Sequence, residues 1–195
     1  GGDERIYPAS MTKIMTALLT IENLPDLNET ITVPEDIFEE LTAQDASVAG
    51  FNPYEQPTVR DLLYGVLLPS GADACETLAR AVGGSEEGFV AMMNQKAEEL
   101  GLTNTHFENC TGLHNDNHYS TCRDIAVLMS ECLKSDTFRE IVTREVYTTE
   151  ATASHPEGIT LYDTMLHRFT SYEMSTTLEN GAVIEGGKTG FTDEA

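Results

Sequence analysis

The chain has 195 residues, 40% of them hydrophobic, enough apolar material for one domain, residues 1–195, with a buried core. Eleven Lys and Arg stand against thirty-three Asp and Glu. The resulting formal net charge of −22 repels phosphate backbones and anionic headgroups, which argues against a nucleic-acid partner.

Pro8-Ala9-Ser10 leads into a run in which Met11, Ile14, Met15, Leu18 and Leu19 recur at helical spacing up to Glu22, with Pro25 beyond it. Residues 28–33 are short and β-branched and predict a strand, followed by Pro34 and a polar stretch in which 44–57 read as loop. Thr58, with Asp61 three residues on, has the spacing of a capped helix start, and Val59, Leu62, Leu63, Val66 and Leu67 give that helix an apolar face ending at Pro69-Ser70-Gly71.

A third helix is predicted from Ala72 to Ala81, closed by Gly83-Gly84. A fourth opens at Ser85, buries Phe89, Met92, Met93, Ala97 and Leu100, and stops at Gly101. Residues 102–120 read as irregular, 121–133 as helix with Ile125, Leu128, Met129 and Cys132 in phase, and 137–142 as a short helical turn. Strands are predicted at 146–149, 158–162 and, after the turn pair Asn180-Gly181, at 182–189. Helices in the middle and strands towards the end give an α+β layout.

The four cysteines, Cys75, Cys110, Cys122 and Cys132, form no C-x-x-C pair and stand at no zinc-finger spacing from a histidine, so buried thiols are expected and no metal or cofactor. The five histidines receive no role. The acidic residues are dispersed, which reads as a solvated surface. No apolar run reaches the roughly 18 residues of a membrane span, and the first five residues lack the plan of a secretory signal. Such segments were removed or the chain is a fragment.

Three elements carry candidate chemistry. Ser10-Met11-Thr12-Lys13 puts a hydroxyl and an amine three residues apart at a helix start, on one face and within hydrogen-bond reach. An amine becomes a base for that hydroxyl when burial or a second cation lowers its pKa, which makes Lys13 the candidate base. Alone the spacing is weak, because a serine capping a helix that contains a surface lysine is commonplace. Lys188-Thr189-Gly190 is the second element, on the predicted strand after Gly186-Gly187, where absent side chains let a substrate backbone approach. The lysine offers charge and the threonine a donor for a carboxylate. Ser70-Gly71 is the third, a hydroxyl on a tight turn that could relay a proton between Lys13 and a leaving amine. The chain holds only four lysines, and two of them fall in these elements.

In this order, and with a variant middle element, the three match the set found in penicillin-binding proteins and class A β-lactamases. The flanks, Tyr7 to Thr16, Thr58 to Gly65, Leu100 to Phe107 and Gly186 to Thr192, resemble the low-molecular-mass D-alanyl-D-alanine carboxypeptidases of the peptidase S11 family over nearly the whole chain. The resemblance implies a β-lactamase/D,D-peptidase-like fold, a helical cluster packed against an antiparallel sheet, here truncated at both ends. It implies an acyl-enzyme on Ser10 that releases D-alanine from peptidoglycan stem peptides, with Lys13 as base and Ser70 passing a proton onward. Lys188 would lower the Lys13 pKa, and Lys188, Thr189 and Gly190 would hold substrate. The backbone N–H groups of Ser10 and Phe191 would form the oxyanion hole, and β-lactams would be covalent inhibitors. The implied location is the outer face of a bacterial cell membrane, reached through segments absent from this chain.

One departure stands out: the family's usual Ser-Gly-Asn is Ser70-Gly71-Ala72 here, followed by Asp73. One residue along a helix start turns a side chain by roughly 100°, so Asp73 replaces the amide only if the turn is re-aimed, and altered turnover is expected. The alternatives are a slow or non-catalytic penicillin-binding or peptidoglycan-sensing relative, and a class A β-lactamase-like hydrolase, although no clear deacylating glutamate loop is present.

Overall fold

A computed structural model describes residues 1–193. Its centre is α1 (Lys13–Asn23), in which every residue from Lys13 to Thr20 is buried. A helix enclosed all round needs neighbours on every side, and α1 packs against α3 (Val59–Leu67), α4 (Ala72–Gly83), α5 (Glu86–Glu99), α6 (Cys122–Cys132) and α7 (Asp136–Val142). The core threads these helices through Met15, Leu62, Leu67, Leu78, Phe89, Phe107 and Phe138. The predicted helices are all present, and α4 ends as expected at Gly84 in the left-handed conformation (φ 77°).

The starts of these helices are written in short polar side chains. Thr58 Oγ1 accepts the Asp61 N–H at 3.1 Å while the Asp61 carboxylate accepts the Thr58 N–H at 3.3 Å, a reciprocal cap at the head of α3. Ser85, Thr121 and Ser135 cap α5, α6 and α7 with single bonds. Asp61 also accepts from Tyr147 Oη at 2.9 Å, and the Tyr147 ring stacks on Tyr64 at 3.6 Å. The later strands are thereby fastened to α3.

The sheets are small. β1 (Arg5–Ile6) pairs antiparallel with β2 (Ser120–Thr121), and β3 (Val146–Thr148) with β4 (Thr160–Tyr162). The strand expected at 28–33 is reduced to a single bridge, Thr30 with Thr58. Its partner segment carries Pro57, which accepts from the Ile31 N–H but has no N–H to return. The strand expected at 182–189 also survives only as one bridge, Val183 with Thr177 around the Asn180-Gly181 turn. No other described segment lies alongside it to complete a ladder. Two helices have no counterpart in the sequence reading: α2 (Ile37–Ala43), which buries only Ile37 and Leu41, and α8 (Leu166–Ser171), which buries nothing. Cys75, Cys110 and Cys132 are buried free thiols; Cys122 departs from that expectation and is exposed at the head of α6. Among the described residues, no helix is long and apolar enough to cross a membrane.

Candidate active site

Ser10 sits in the 3-10 turn Ala9–Thr12 that feeds into α1, directly after Ala9, whose φ of 48° is unusual for a residue with a side chain. Lys13, the first residue of α1, is 3% exposed and donates from Nζ to Ser10 Oγ at 3.1 Å and to the Thr111 carbonyl at 2.7 Å. Burial is what pulls the Lys13 ammonium below its usual range; the thiols Cys75 and Cys110 and the Asp73 carboxylate act weakly against it.

The loop that supplies the Thr111 carbonyl is held onto α1 at several points. Thr16 Oγ1 donates to the Cys110 carbonyl at 2.7 Å, and Asn94 on α5 clamps both the N–H and the carbonyl of Phe107 at 2.9 Å. His118 accepts the Glu108 N–H on Nδ1, so its proton lies on Nε2 and points to Thr12 Oγ1, 2.7 Å away. Burial drops this histidine to about 4, which keeps it neutral. Gly112 lies so close to the Ala9 carbonyl that an added Cβ would stand 1.8 Å from the oxygen, and its φ is +88°. Neither Thr111 nor His118 was singled out from sequence, because nothing local marks a carbonyl or a loop histidine as a partner of residues 98 and 106 positions upstream.

Ser70 follows α3 with φ 65° and is 6% exposed. Its Oγ accepts from Lys188 Nζ at 3.0 Å, and Lys188 also donates to the Thr189 carbonyl at 2.8 Å. The Ser70 hydroxyl is thus bonded to Lys188, while Lys13 is bonded to Ser10 and the Thr111 carbonyl. Lys188 is brought down to about 7 by burial and, second, by the Lys13 charge. Repulsion between two ammonium groups is mutual, so the charge on each lysine disfavours the charge on the other, and burial adds to this at both. Thr189 Oγ1 is engaged by Thr164 Oγ1 at 2.6 Å, and Asp163, next to Thr164, offers Lys188 a nearby carboxylate. Both come from the head of α8, the element that periodicity did not find.

Gly186 and Gly187 do not open the way for a substrate backbone. A Cβ on Gly186 would stand 2.1 Å from the Val142 carbonyl, and one on Gly187 3.0 Å from Met165, so these glycines fit the chain onto α7 and α8. Gly190 makes the close approach at the site itself: its Cβ would stand 2.7 Å from the Pro8 carbonyl and 3.2 Å from the Met11 backbone nitrogen. That brings 188–191 against the Ser10 turn. Phe191, its ring 81% exposed, lines one cleft of about 90 Å³ together with Ser10, Lys13, Asp45 to Ser47, Ala72, Thr111 to Leu113 and Thr192.

Asp73 is fully buried and turned away from the cleft. Its Oδ1 accepts from Ala49 at 2.7 Å and Ala74 at 3.0 Å, and its Oδ2 from Gly50 and Phe51, both at 3.0 Å. The expectation that a re-aimed turn could bring it into the missing amide's place is thereby overturned.

One further set of donors, Glu76, Glu86 and Cys110, lies behind α4 with its ligand atoms within 4.8 Å of one another. The Cys110 thiol donates to Glu76, burial pushes that thiol well above its usual value, and burial with the Glu86 charge raises Glu76 to about 7.

Comparison with known proteins identifies the family. A family model described as D-alanyl-D-alanine carboxypeptidase, peptidase S11, matches residues 2–195. The chain belongs to this family. It is 36% identical over 194 residues to the D-alanyl-D-alanine carboxypeptidase DacF of Bacillus subtilis, covering 99% of this chain and 46% of the relative. It is 38% identical over 154 residues to the D-alanyl-D-alanine carboxypeptidase of Streptomyces sp. strain K15, covering 75% of this chain and 53% of the relative. The chain thus spans about half the length of these curated relatives. Among solved structures, a serine-to-alanine mutant of the Streptomyces K15 DD-transpeptidase superposes with a TM-score of 0.85 at 34% identity, over 100% of this chain and 75% of that one. Penicillin-binding protein 6B of Escherichia coli superposes with a TM-score of 0.75 at 29% identity, over 85% and 52%. The fold is the α+β D,D-peptidase fold, and the names do not favour the β-lactamase-like or non-catalytic alternatives.

Proposed function

We propose that the chain is the catalytic part of a serine D-Ala-D-Ala carboxypeptidase that removes the terminal D-alanine of peptidoglycan stem peptides, with residues 1–195 belonging to one catalytic domain. The observation that carries this reading is the buried Ser10–Lys13 pair: a hydroxyl 3.1 Å from an amine whose pKa burial has lowered. A neutral Lys13 takes the Ser10 proton as Oγ attacks the carbonyl between the two D-alanines. Ser10 and Phe191 both line the cleft, and their backbone N–H groups are the donors we assign to the oxyanion. Collapse breaks the C–N bond as the leaving amine takes the proton that Lys13 accepted, passed on through Ser70; water then attacks the ester, Lys13 takes its proton, and that proton returns to Ser10 as the acyl group leaves. Lys188, Thr189 and Gly190, which immediately precede the cleft residue Phe191, are the residues we assign to the free carboxylate of the terminal residue.

The same geometry accommodates β-lactams, which present a carboxylate beside a reactive amide and would acylate Ser10. The membrane-facing, extracytoplasmic setting of cell-wall substrate is part of this proposal. The test is D-alanine release from a synthetic peptide ending in D-Ala-D-Ala by the full-length protein. Release is expected from the wild type, with Lys13→Ala slowed by about 10²–10⁴-fold, the range of a general base. Release that persists unchanged in Ser10→Ala would overturn the proposal.

A further inference from the structure

The cleft has a wall that no catalytic element supplies. Asp45, Ala46 and Ser47 line it alongside Ser10 and Lys13, yet they belong to a loop that is largely exposed and lacks regular structure. Such a segment, left to itself, samples many conformations, so something must fix it for the cleft to have a shape. The Asp45 and Ala46 N–H groups are tied back to the Thr42 and Leu41 carbonyls at the end of α2, and the contacts from Ser47 onward converge on the turn that carries Ser70. The Ala72 N–H donates to the Ser47 carbonyl at 2.7 Å, and a Cβ on Gly71 would stand 2.7 Å from both Ala49 Cβ and Ala49 N. Above all, the buried Asp73 carboxylate accepts three consecutive loop N–H groups, those of Ala49, Gly50 and Phe51, besides the Ala74 N–H of its own helix.

A carboxylate that accepts several N–H bonds is a strong, directional anchor. Burial makes each of those bonds costly to lose, because the N–H groups left behind would have no water to turn to. At its other end Asp73 is one residue from Ala72 and three from Ser70, whose left-handed backbone (φ 65°) depends on the same turn being held.

We propose that Asp73 is a positioning residue: it locks the 45–51 wall onto the Ser70 turn, so that the shape of the cleft beside Ser10 and the placement of the Ser70 hydroxyl are set together. In a chain where Ala72 offers no amide to the cleft, the wall that Asp73 holds supplies the boundary on that side. The inference rests on the reading of Ser10 as the acylated serine.

The experiment uses the full-length protein and two independent readouts. Amide hydrogen exchange across 45–52 reports the wall without reference to activity, and the rate of penicillin acylation separates from deacylation in a burst and steady-state measurement. In Asp73→Asn one oxygen becomes an NH2 that cannot accept, so exchange at 49–51 is expected to quicken at least tenfold. Acylation is expected to slow at least tenfold, with Asp73→Glu recovering part of both. Gly50→Ala tests the same link from the exposed side. Its Cβ meets nothing within 4 Å, but its φ of +108° suits only glycine, so the wall is disturbed without touching the core. It is expected to show the same two changes, and it carries the test if Asp73→Asn does not fold. Unchanged exchange and unchanged acylation in a folded variant would overturn the proposal. Faster exchange with unchanged acylation would also overturn it, leaving Asp73 a purely structural anchor. A wild type that penicillin does not acylate would instead overturn the reading of Ser10, with the exchange result standing apart from it.

Discussion

Two lysines share the site, and their environments differ in a way that can be measured. Lys188 falls from 10.5 to about 7 on folding, chiefly through burial. A lysine with a lowered folded-state pKa is more protonated in the unfolded chain than in the folded one between those two values. Stability therefore rises with pH through that window. The rise is clearest between pH 7 and 8.5, below the ordinary thiol value of 9.0, where Cys75 begins to add an opposite slope. Chemical denaturation at several pH values is expected to show stability increasing over this range, and Lys188→Met to lessen the rise, the lowered Lys13 keeping part of it. A slope that is the same in the variant would mean that Lys188 keeps an ordinary pKa. At this scale the sequence was informative for Ser10, Lys13 and Lys188, whose spacing and rarity mark them. It was silent on Thr111, His118 and Thr164, because a backbone carbonyl, a neutral imidazole and a threonine acquire their roles only when distant segments meet.

The helices were legible because their ends are chemically marked and their apolar residues keep a 3.6-residue period. The α3 cap is the clearest instance: Thr58→Ala removes the acceptor of the Asp61 N–H and is expected to cost about 1 kcal/mol. In a thermal melt that corresponds to a fall of about 2–4 °C for a domain of this size. An unchanged melting temperature would show that the cap contributes nothing beyond water. The strands were less legible. Alternation at 28–33 and 182–189 describes residues suited to a sheet, but a strand exists only where a partner returns its hydrogen bonds. Pro57 prevents that return in the first case, and in the second only residues 176–178 among those described run alongside, enough for a single bridge. The short α2 and α8 were missed because two buried positions in the first and none in the second give no period to detect.

For the whole molecule, charge dominates. A net charge of −22 on 195 residues makes the folded state repel itself, an effect that is long-ranged at low salt and screened beyond about 8 Å at 0.15 M. Raising sodium chloride from 0.01 to 0.15 M is expected to raise the melting temperature of the chain by a few degrees, about 2–4 °C for each kcal/mol of repulsion relieved. A fall would mean that local ion pairs such as Arg80–Asp36 and Lys96–Glu22 outweigh the net charge. The fold class followed from the distribution of helix and strand signals and from the resemblance along the chain. How the site is assembled from α1, the Ser70 turn, the 107–112 loop and the 188–191 segment did not, since those contacts join positions about 60 to 180 residues apart.

The account turns on Ser10 as the residue that becomes acylated. The intact mass of the full-length protein, measured before and after incubation with a penicillin and followed by peptide mapping, tests it most directly, with Ser10→Ala as control. The account predicts an adduct of one penicillin mapped to Ser10 and absent from the control. A folded wild-type protein that gains no mass, or an adduct that persists in Ser10→Ala, would contradict it.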